Sequence, residues 1–386
     1  MPKNLPLARR EFVKTLVAGT AGLGLRPAWA TPAEEAPFSF LLLGDLHYDK
    51  LAHHDLAWLG KEKPDDLRQV RDYSRMSAEI MPRLMATARE TVLDLNRTPE
   101  TKVAFTAQVG DLVEGLCGEP KLALQQDTDA LEFVRSAHLG VPFLFAKGNH
   151  DITGLGAPEA YKEIFQPFLS RELAPLNGGG ALTSASYAFE HGGAQFCFLD
   201  AYDKENLSWL EAVLAKRTAR HCFVIVHPPV VPYGARTNWI LFAAERQRPQ
   251  RERLLELLGK HHAFVLTGHI HKYNLTVRTV PAGRFLQLGL SSVIAAPEVQ
   301  PVHVLSGTGQ YNDEQLKVEP DFSPGTEPER RKLCEAEAPF VKQFEYADLP
   351  CYAIVRVNGP QVTAKVFAGV SRQLWRNLDL AQLMEA

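Results

Sequence analysis

The sequence has few cysteines, little net charge and no long apolar run, and each shortage excludes a class of protein. The five cysteines show no C-x-x-C spacing, which argues against a zinc ribbon or a dithiol redox motif. Lysine and arginine (42) nearly balance aspartate and glutamate (45), so no basic excess indicates nucleic acid or an anionic membrane as the main partner. The sequence also contains no internal repeat and no G-x-S-x-G motif for a serine nucleophile.

The first 30 residues carry three features of an export signal in the expected order. Arg9-Arg10 precedes a modest apolar run over residues 15–25, and Ala28-Trp29-Ala30 offers a small-x-small cleavage site. The run is too short and glycine-rich to span a bilayer comfortably, and the alternatives are an N-terminal helix or an uncleaved anchor. We therefore expect residues 1–30 to be a twin-arginine signal peptide that engages the Tat export machinery and is then removed.

Export would leave a periplasmic or secreted protein without a stable membrane anchor. Residues 1–30 hold five basic residues and one acidic residue, so the remaining chain keeps 37 of 42 basic and 44 of 45 acidic residues. The exported chain would therefore be acidic, which argues mildly against a basic groove for nucleic acid.

Residues 37–386 alternate strand and helix patterns, and we expect them to form a single domain. A first strand starts at Pro37 and is followed by a long helical pattern, in which Pro82 implies a kink or a late helix start. Hairpins are predicted around residues 191–193 and around Asn358-Gly359, the second of these being a C-terminal strand pair.

Residues 296–349 interrupt this rhythm, because proline, glycine and charged residues dominate there. The segment is too long for a plain loop in a compact domain. We expect an irregular packed insertion, and a lid over the site is the alternative. Cys334 and Cys351 flank part of this segment, and a disulfide between them is one hypothesis for an oxidising compartment.

Polar side chains follow five apolar, strand-like runs, and four of these five junctions carry a glycine. The five blocks are Gly44-Asp45-Leu46-His47, Gly110-Asp111, Gly148-Asn149-His150-Asp151, His227-Pro228-Pro229 and Gly268-His269-Ile270-His271. Ligands bind at the carboxyl ends of strands in open α/β sheets. Carboxylates are rare in such buried positions unless they are paired, hydrogen-bonded or bound to metal.

The blocks supply a mixed set of oxygen and nitrogen donors that suits zinc, iron or manganese better than calcium or magnesium. The candidate ligands are Asp45, His47, Asp111, Asn149, His227, His269 and His271. Seven side chains are more than one tetrahedral site uses, so two ions that share one carboxylate are the more economical arrangement. The alternative is that the aspartates cap turns and that His227 is a core histidine at a strand end.

In this order, the five blocks resemble those of the calcineurin-like metallophosphoesterase family, D-x-H, G-D, G-N-H-D, H and G-H-x-H, from Leu41 to His271. The resemblance implies an α/β (α+β) fold, a four-layer sandwich of two mixed β-sheets flanked by helices. It also implies a metal-dependent hydrolase of phosphate esters, a phosphodiesterase or a phosphomonoesterase. Its expected mechanism is in-line attack on a small-molecule phosphoester by a hydroxide that bridges two metal ions.

The resemblance assigns a role to each matched position. One metal would be held by Asp45, His47 and His271, and the other by Asn149, His227 and His269. Asp111 would bridge the two ions. His150 would stabilise the developing charge or protonate the leaving oxygen, and Asp151 would orient His150.

Departures from known subfamilies narrow the expected substrate. Gly115 stands where the protein serine/threonine phosphatases carry a phosphate-binding arginine, and Glu114 and Gly115 do not supply the tyrosine ligand of purple acid phosphatases. The blocks look more like those of bacterial phosphodiesterases or broad periplasmic phosphatases. Three residues near the blocks are candidate substrate contacts: Tyr48, Arg236 and Asn238.

Two further expectations concern function and the histidines outside the blocks. His53 and His54 are predicted to lie at the surface. The competing functions are a non-catalytic metal- or phosphate-binding protein that retains the fold, and a nuclease. No ligand of the set is missing from this sequence, and this favours the enzyme.

Overall fold

The computed structural model describes residues 36–177, 180–234, 236, 238–307 and 326–385. The predicted signal peptide, residues 1–30, lies outside the described residues. Within the described residues, no helix combines the length and the apolar character needed to cross a membrane.

The described residues form fourteen strands and ten α-helices. The strands are β1 (Phe38–Leu43), β2 (Val103–Gln108), β3 (Phe143–Phe145), β4 (Tyr187–His191), β5 (Ala194–Leu199), β6 (His221–Val226), β7 (Phe264–Thr267), β8 (Tyr273–Val280), β9 (Gly283–Gly289), β10 (Val302–Ser306), β11 (Val341–Asp348), β12 (Cys351–Asn358), β13 (Gln361–Ala368) and β14 (Leu374–Asp379). The helices are α1 (Leu56–Glu62), α2 (Asp66–Glu79), α3 (Met81–Leu95), α4 (Pro120–Ser136), α5 (Ala157–Ala160), α6 (Gln166–Asn177), α7 (Asn206–Leu214), α8 (Arg248–Lys260), α9 (Glu327–Glu337) and α10 (Leu380–Glu385).

The strands form two mixed sheets. The first has the order β14-β13-β12-β1-β2-β3, and the second has the order β10-β11-β8-β9-β7-β6-β5-β4. In the first sheet, β1, β2 and β3 are parallel to one another, while β12 to β14 are antiparallel. In the second, β5, β6, β7 and β9 form the parallel centre. Each sheet therefore has one group of parallel strands whose carboxyl ends point the same way.

The main core lies between the two sheets and is rich in phenylalanine. Phe40 of β1 stacks on Phe105 of β2, with ring centroids 5.3 Å apart. It also meets Phe196 and Phe223 of the second sheet edge-on, at 5.5 Å and 5.4 Å. Such aromatic pairs add to the burial of apolar area, so these rings hold the two sheets together and set their spacing.

A second core lies behind the second sheet. Leucines of α7 and α8 pack on the faces of β5, β6 and β7 that point away from the first sheet. These leucines are Leu207, Leu210, Leu214, Leu254, Leu255 and Leu258. The central strands are thus covered on both faces, which explains their continuous apolar sequences.

Several expectations about the elements are confirmed. The helical pattern near Pro82 divides at Ile80, so that α3 starts at Met81 with the proline in its first turn. The first predicted hairpin is β4–β5, and its turn residues Gly192 and Gly193 both have positive φ, as a tight hairpin turn requires. The second is β12–β13 around Asn358-Gly359, and β14 extends it to three strands.

The expectation of an irregular insertion over 296–349 is wrong for the residues that are described. They contain β10, α9 and β11, and β11 lies inside the second sheet between β10 and β8. The sequence of β11 lacks the alternation of apolar and polar residues that is typical of a strand. The reason is a register shift between Val341 and Gln343, because of which the buried residues Val341 and Phe344 are three positions apart. Residues 308–325, on which the lid alternative depends, lie outside the described residues.

The hypothetical disulfide between Cys334 and Cys351 is not formed, since both are free and buried. Cys334 belongs to the core behind the second sheet, whereas Cys351 starts β12 in the core between the sheets. The two thiols therefore belong to different layers of the molecule.

Candidate metal centre

The polar blocks of the sequence meet where the parallel strands end. Asp45 follows β1, Asp111 follows β2 and Asn149 follows β3, all at the same edge of the first sheet. His227 follows β6 and His269 follows β7 in the second sheet. Because both sheets present carboxyl ends here, donors from distant parts of the chain converge.

The first group of candidate ligands consists of four side chains whose donor atoms all lie within 4.8 Å of one another. These are Asp45, His47, Asp111 and His271. Nε2 of His47 lies 2.9 Å from Nε2 of His271. The same nitrogen of His271 lies 3.1 Å from Oδ2 of Asp45.

The second group contains Asp111, His227 and His269, again within 4.8 Å. Nε2 of His227 lies 3.0 Å from Oδ2 of Asp111 and 3.2 Å from Nδ1 of His269. Oδ1 of Asn149 lies 3.1 Å from the same nitrogen of His227. The structure thus brings the seven candidate ligands together, with Asp111 common to both groups; we call this set the metal cage.

The backbone of the metal cage adopts conformations that are uncommon for residues with a side chain. His47, Asp111, His269 and His271 have φ of 49°, 54°, 69° and 54°. Left-handed backbone costs about 1–2 kcal/mol at each non-glycine residue, and it persists where the surroundings demand it. In a D-x-H or H-x-H block, this left-handed backbone lets the two polar side chains of the block point into the same space.

Two glycines next to the metal cage are required by close approach. A Cβ at Gly148 would overlap Oδ1 of Asp111, and a Cβ at Gly268 would overlap Oδ1 of Asp45. Any larger residue would push a carboxylate out of the cage. The glycines that precede the polar residues in the sequence are therefore part of the site.

Hydrogen bonds to the outer ring nitrogens determine which nitrogen of each histidine faces the metal cage. Nδ1 of His47 lies 2.7 Å from Oε2 of Glu114, and Nδ1 of His227 lies 3.1 Å from the carbonyl oxygen of Val109. These acceptors hold a proton on Nδ1, which leaves the Nε2 lone pair of each ring for the interior of the cage.

The donor set fits divalent or trivalent transition metals. The carboxylates of Asp45 and Asp111 are buried, and within the described part of the chain Oδ1 of Asp45 has no hydrogen-bond partner. Imidazole nitrogens face each other across 2.9 Å and 3.2 Å. Buried lone pairs that point at one another are unfavourable unless a proton or a cation lies between them, and this arrangement fits one cation in each group.

The electrostatics of the metal cage also favour a cation. Burial raises the pKa of Asp111, but the positive charges of His227 and His150 outweigh it and hold the pKa well below its ordinary value. Burial lowers the pKa of His227, but Asp111 and Asp45 raise it to about 9. Burial and the neighbouring His227 lower the pKa of His269 to about 3. Positive charge is therefore favoured next to Asp111.

His150 lies beside the metal cage and is oriented by Glu114, not by Asp151 as predicted. Nδ1 of His150 lies 2.7 Å from the main-chain carbonyl oxygen of Glu114, which makes Nδ1 the donor and leaves Nε2 as the other ring nitrogen. Burial alone would lower the pKa of His150, yet the charges of Glu114 and Asp111 raise it to about 9. The ring is therefore protonated at neutral pH.

Asp151 instead fixes the loop that carries Asp111. Its buried carboxylate accepts hydrogen bonds from four main-chain N–H groups, at 2.7–3.2 Å. The donors are Asp111, Leu112, Val113 and Gly148. Because His150 and Asp151 are neighbours in a short 3-10 turn, their side chains point to different sides, and the sequence alone does not reveal this.

The metal cage opens into a cavity of about 410 Å³. Its lining residues are Gln69, Tyr73, Asp111, Asn149, His150, Arg236, Asn238, Trp239, Ile240, His269 and His271. The guanidinium of Arg236 lies over the ring of Trp239, 4.7 Å from its centroid, and that ring lies 5.3 Å from the ring of His269. Of the three candidate substrate contacts, Arg236 and Asn238 line the cavity.

Tyr48 does not reach this cavity. Its ring is buried and stacks on Phe133 of α4, with centroids 4.9 Å apart, and its backbone pairs with Val113. Tyr73 of α2 lines the cavity instead and stacks on His47 at 4.6 Å. Nearness to a block in the sequence did not translate into nearness to the site, because the chain turns away directly after His47.

Sequence reasoning also missed Glu114, Gln69 and the environment of His54. Glu114 is buried and contacts His47, and Gln69 of α2 donates to its other oxygen at 2.7 Å. A glutamate inside the apolar stretch from Leu112 to Leu116 was the available signal. His53 and His54 are buried, so the prediction that they lie at the surface is wrong: His54 binds Asp49 at 2.7 Å.

Comparison with known proteins identifies the family. The family model for calcineurin-like phosphoesterases matches residues 38–273, more than half of the chain, and the chain belongs to this family. It is 30% identical over 210 residues to purple acid phosphatase 15 of Arabidopsis thaliana, a match that covers 51% of this chain and 34% of that protein. It is 28% identical over 142 residues to purple acid phosphatase 23 of the same plant, covering 34% and 29%. The match thus spans about a third of each relative.

Solved structures show the same fold. A purple acid phosphatase, PPD1 from yellow lupin (Lupinus luteus) seeds, aligns with a TM-score of 0.52 at 11% identity, over 90% of this chain and 54% of that one. PhoD aligns with a TM-score of 0.51 at 12% identity, over 90% and 69%. The predicted sandwich of two mixed sheets flanked by helices is confirmed.

Purple acid phosphatases therefore stand among the relatives, although Glu114 does not supply the tyrosine ligand expected of them. The expectation that this chain is not itself a purple acid phosphatase remains a prediction.

Proposed function

We propose that this chain hydrolyses small phosphate esters at a dinuclear metal centre formed by the metal cage. The observation that carries the proposal is that two ligand groups share Asp111 and face one cavity next to His150. When bound, two ions of iron, manganese or zinc would activate a water molecule as nucleophile and neutralise charge on the phosphate.

The residues around the cavity have distinct tasks in this proposal. Arg236 and Asn238 of the cavity lining bind phosphate oxygens, and the ring of Trp239 supports the guanidinium of Arg236. His150, held through Nδ1 by Glu114, donates a proton from Nε2 to the leaving oxygen. Its raised pKa keeps that proton available at neutral pH.

The attack would be in line, without a covalent enzyme intermediate. The chain has no G-x-S-x-G nucleophile motif, and none of the described residues that line the cavity is a serine, threonine or cysteine. The displaced ester oxygen leaves from the side opposite to the incoming water, so the configuration at phosphorus should invert.

A substrate panel on metal-reconstituted protein tests the proposal. Aryl phosphate monoesters and bis-aryl phosphate diesters should both be tried with iron, manganese and zinc, after the protein has been stripped of metal. We expect turnover only after metal is restored, and a single turnover in 18O-labelled water should place the label in the released phosphate. A phosphorylated protein found after acid quenching would contradict in-line attack, and metal binding without turnover of any ester would favour a binding protein.

We further propose that the chain is exported by the Tat machinery to the periplasm or beyond the cell. The support is the order of Arg9-Arg10, the apolar run and Ala28-Trp29-Ala30 in the sequence. Replacing Arg9 and Arg10 with lysine should retain the protein in the cytoplasm of a Tat-competent bacterium. Export that continues after this replacement, measured by cell fractionation, would contradict the proposal.

A further inference from the structure

We infer that the Glu114 side chain is a positioning residue for one of the two metal sites, because it fixes the orientation of His47. The inference rests on the proposed metal centre, but its test reads metal binding and not turnover. Glu114 lies only three residues after the shared ligand Asp111, and its side chain is fully buried.

The two carboxylate oxygens of Glu114 have different partners. Oε2 lies 2.7 Å from Nδ1 of His47, on the side of the imidazole that points away from the metal cage. Oε1 accepts a hydrogen bond from Nε2 of Gln69 at 2.7 Å. Oε2 also lies 3.4 Å from Nδ1 of His150. Glu114 belongs to neither of the two ligand groups that share Asp111, so it would act on a bound metal through His47.

Two neighbours keep this arrangement rigid. The ring of Tyr73 stacks on the ring of His47, at 4.6 Å between centroids and 18° between planes. This contact prevents the imidazole from tilting out of its plane. The main chain of Glu114 is held as well, since Nδ1 of His150 binds its carbonyl oxygen and a Cβ on the next residue, Gly115, would overlap the carbonyl oxygen of His150. Side chain and main chain of one residue therefore hold two functional histidines.

A comparison with His227 shows what the carboxyl group of Glu114 adds. His227 has its Nδ1 bound to a neutral acceptor, the carbonyl oxygen of Val109, at the longer distance of 3.1 Å. A buried carboxylate behind an imidazole makes the imidazole a stronger donor and adds negative charge near the cation. We therefore infer that the site formed by Asp45, His47 and His271 depends on Glu114, and that the site formed by Asn149, His227 and His269 does not.

The decisive variant is Glu114→Gln, which keeps the size of the side chain and replaces the carboxylate with an amide that cannot ionise when a cation binds nearby. Metal-stripped protein is titrated calorimetrically with Mn²⁺ and, separately, with Zn²⁺. We expect the parent to bind two ions and the variant to bind one of them about 10–100-fold more weakly, with the other unchanged.

Glu337→Gln is the matched control. Glu337 is likewise buried and charge-paired, with Oε2 2.6 Å from Nε of Arg278, but it lies outside the metal cage. This variant should bind both ions as the parent does. An equal loss of metal affinity in Glu337→Gln would show that removal of any buried carboxylate is sufficient, and the inference would be overturned.

The remaining outcomes separate this inference from the proposed function. If folded Glu114→Gln binds both ions with the affinities of the parent, the role of Glu114 is refuted and the metal centre stands. If the parent itself binds no ion, both fail. If Glu114→Gln does not fold, Gln69→Leu tests the same link, because loss of the hydrogen bond to Oε1 should weaken the same ion a few-fold; unchanged affinity there would also refute the role.

Discussion

Two buried clusters of aspartate and histidine lie close together in this molecule, and they differ in how their donors and acceptors are matched. In the metal cage, imidazole nitrogens face one another and one oxygen of Asp45 has no hydrogen-bond partner among the described residues. In the second cluster, which we call the Asp49 cluster, donors and acceptors match. Its members are Asp49, His54, Ser74 and Gln126.

The Asp49 cluster is complete without any ligand. Asp49 accepts hydrogen bonds from His54 at 2.7 Å, from Gln126 at 2.8 Å and from Ser74 at 2.8 Å. The other ring nitrogen of His54 lies 3.1 Å from the carbonyl oxygen of Leu116. Both nitrogens of His54 thus face acceptors, so this arrangement favours the protonated ring, which connects the loop after β1 to the loop after β2.

The contrast shows that residue types alone do not mark a functional site. Both clusters contain buried aspartate and histidine, but only the metal cage holds a buried aspartate oxygen, Oδ1 of Asp45, that has no hydrogen-bond partner among the described residues. Unmatched polar groups are costly and persist where a ligand completes them. Substitutions in and near the two clusters test this difference, and their expected effects differ in size.

Loss of Asp111 should have the largest effect, because it is common to both ligand groups. In Asp111→Ala we expect both ions to be lost and hydrolysis to fall by roughly 10⁴-fold or more. Metal content by mass spectrometry and turnover of an aryl phosphate measure the two effects. Asp127→Asn is the control: that carboxyl is also buried, and burial raises its pKa well above the ordinary value, so the amide resembles its neutral form. An Asp111→Ala protein that keeps two ions would contradict the shared-ligand arrangement.

His150→Ala should leave metal binding intact and slow the reaction. We expect a loss of about 10²–10⁴ in kcat, since the proton donor is removed while its neighbours Asn149 and Asp111 remain. The deficit should be smaller for esters with acidic leaving groups, which need no proton. Turnover of two aryl esters whose leaving groups differ in acidity measures this effect, and the metal content of each preparation is determined alongside. Loss of the ions would mean that His150 is a ligand instead.

Asp151→Ala distinguishes the observed role of this residue from the predicted one. Four N–H groups lose their acceptor, so we expect a loss of about 3 kcal/mol in the free energy of unfolding and weaker binding of both ions. Denaturant titration and metal calorimetry measure these effects. Had Asp151 mainly oriented His150, the variant would instead keep its stability and its metal and reproduce the kinetic defect of His150→Ala.

The smallest effect should be a pH dependence of stability that comes from the Asp49 cluster. Burial alone would lower the pKa of His54, but the hydrogen bond and the charge of Asp49 raise it above 6.5 in the folded protein. Its stabilising contribution is therefore fully present below pH 6.5 and is lost as the pH rises through the raised pKa. For Asp49, burial alone would raise the pKa, but hydrogen bonds from His53 and His54 lower it below 3.8. The contribution of Asp49 to the stability of the fold is therefore present above pH 3.8 and is lost only in stronger acid.

Thermal unfolding of metal-stripped protein, followed as the pH is raised from 6.5 into the alkaline range, measures this effect. The parent should lose more stability than His54→Gln, whose side chain does not titrate. His53 and Asp129 lie nearby in both proteins, so the difference between the two isolates His54. Equal pH profiles would contradict the cationic state of His54, and unchanged metal affinity in His54→Gln would confirm that the cluster is separate from the site.

The convergence of the candidate ligands was predictable from the sequence because each of their blocks follows a buried strand. Parallel strands bring such positions together whatever the length of the connections between them, and the glycines mark where backbones approach closely. The central strands were predictable for a related reason, since burial on both faces leaves a continuous apolar run.

Residues whose role depends on packing between elements were not predictable. Gln69 and Tyr73 reach the site from α2, whose sequence resembles that of any amphipathic helix. Tyr48 was misplaced because the direction of the chain after His47 depends on a left-handed residue that the sequence does not reveal. β11 was overlooked because its bulge breaks the alternation on which strand prediction relies.

The four amide groups gathered on the Asp151 carboxylate have a consequence for metal uptake. They tie the loop after β2 to the loop after β3 through protein atoms alone. An arriving ion would therefore meet a preorganised set of candidate ligands, and the protein would lose little conformational entropy on binding it. Exchange of one transition metal for another would then need no movement of the backbone. The ion bound in the cell would therefore depend on which metals are available and on their relative affinities, and not on which ion was present when the chain folded.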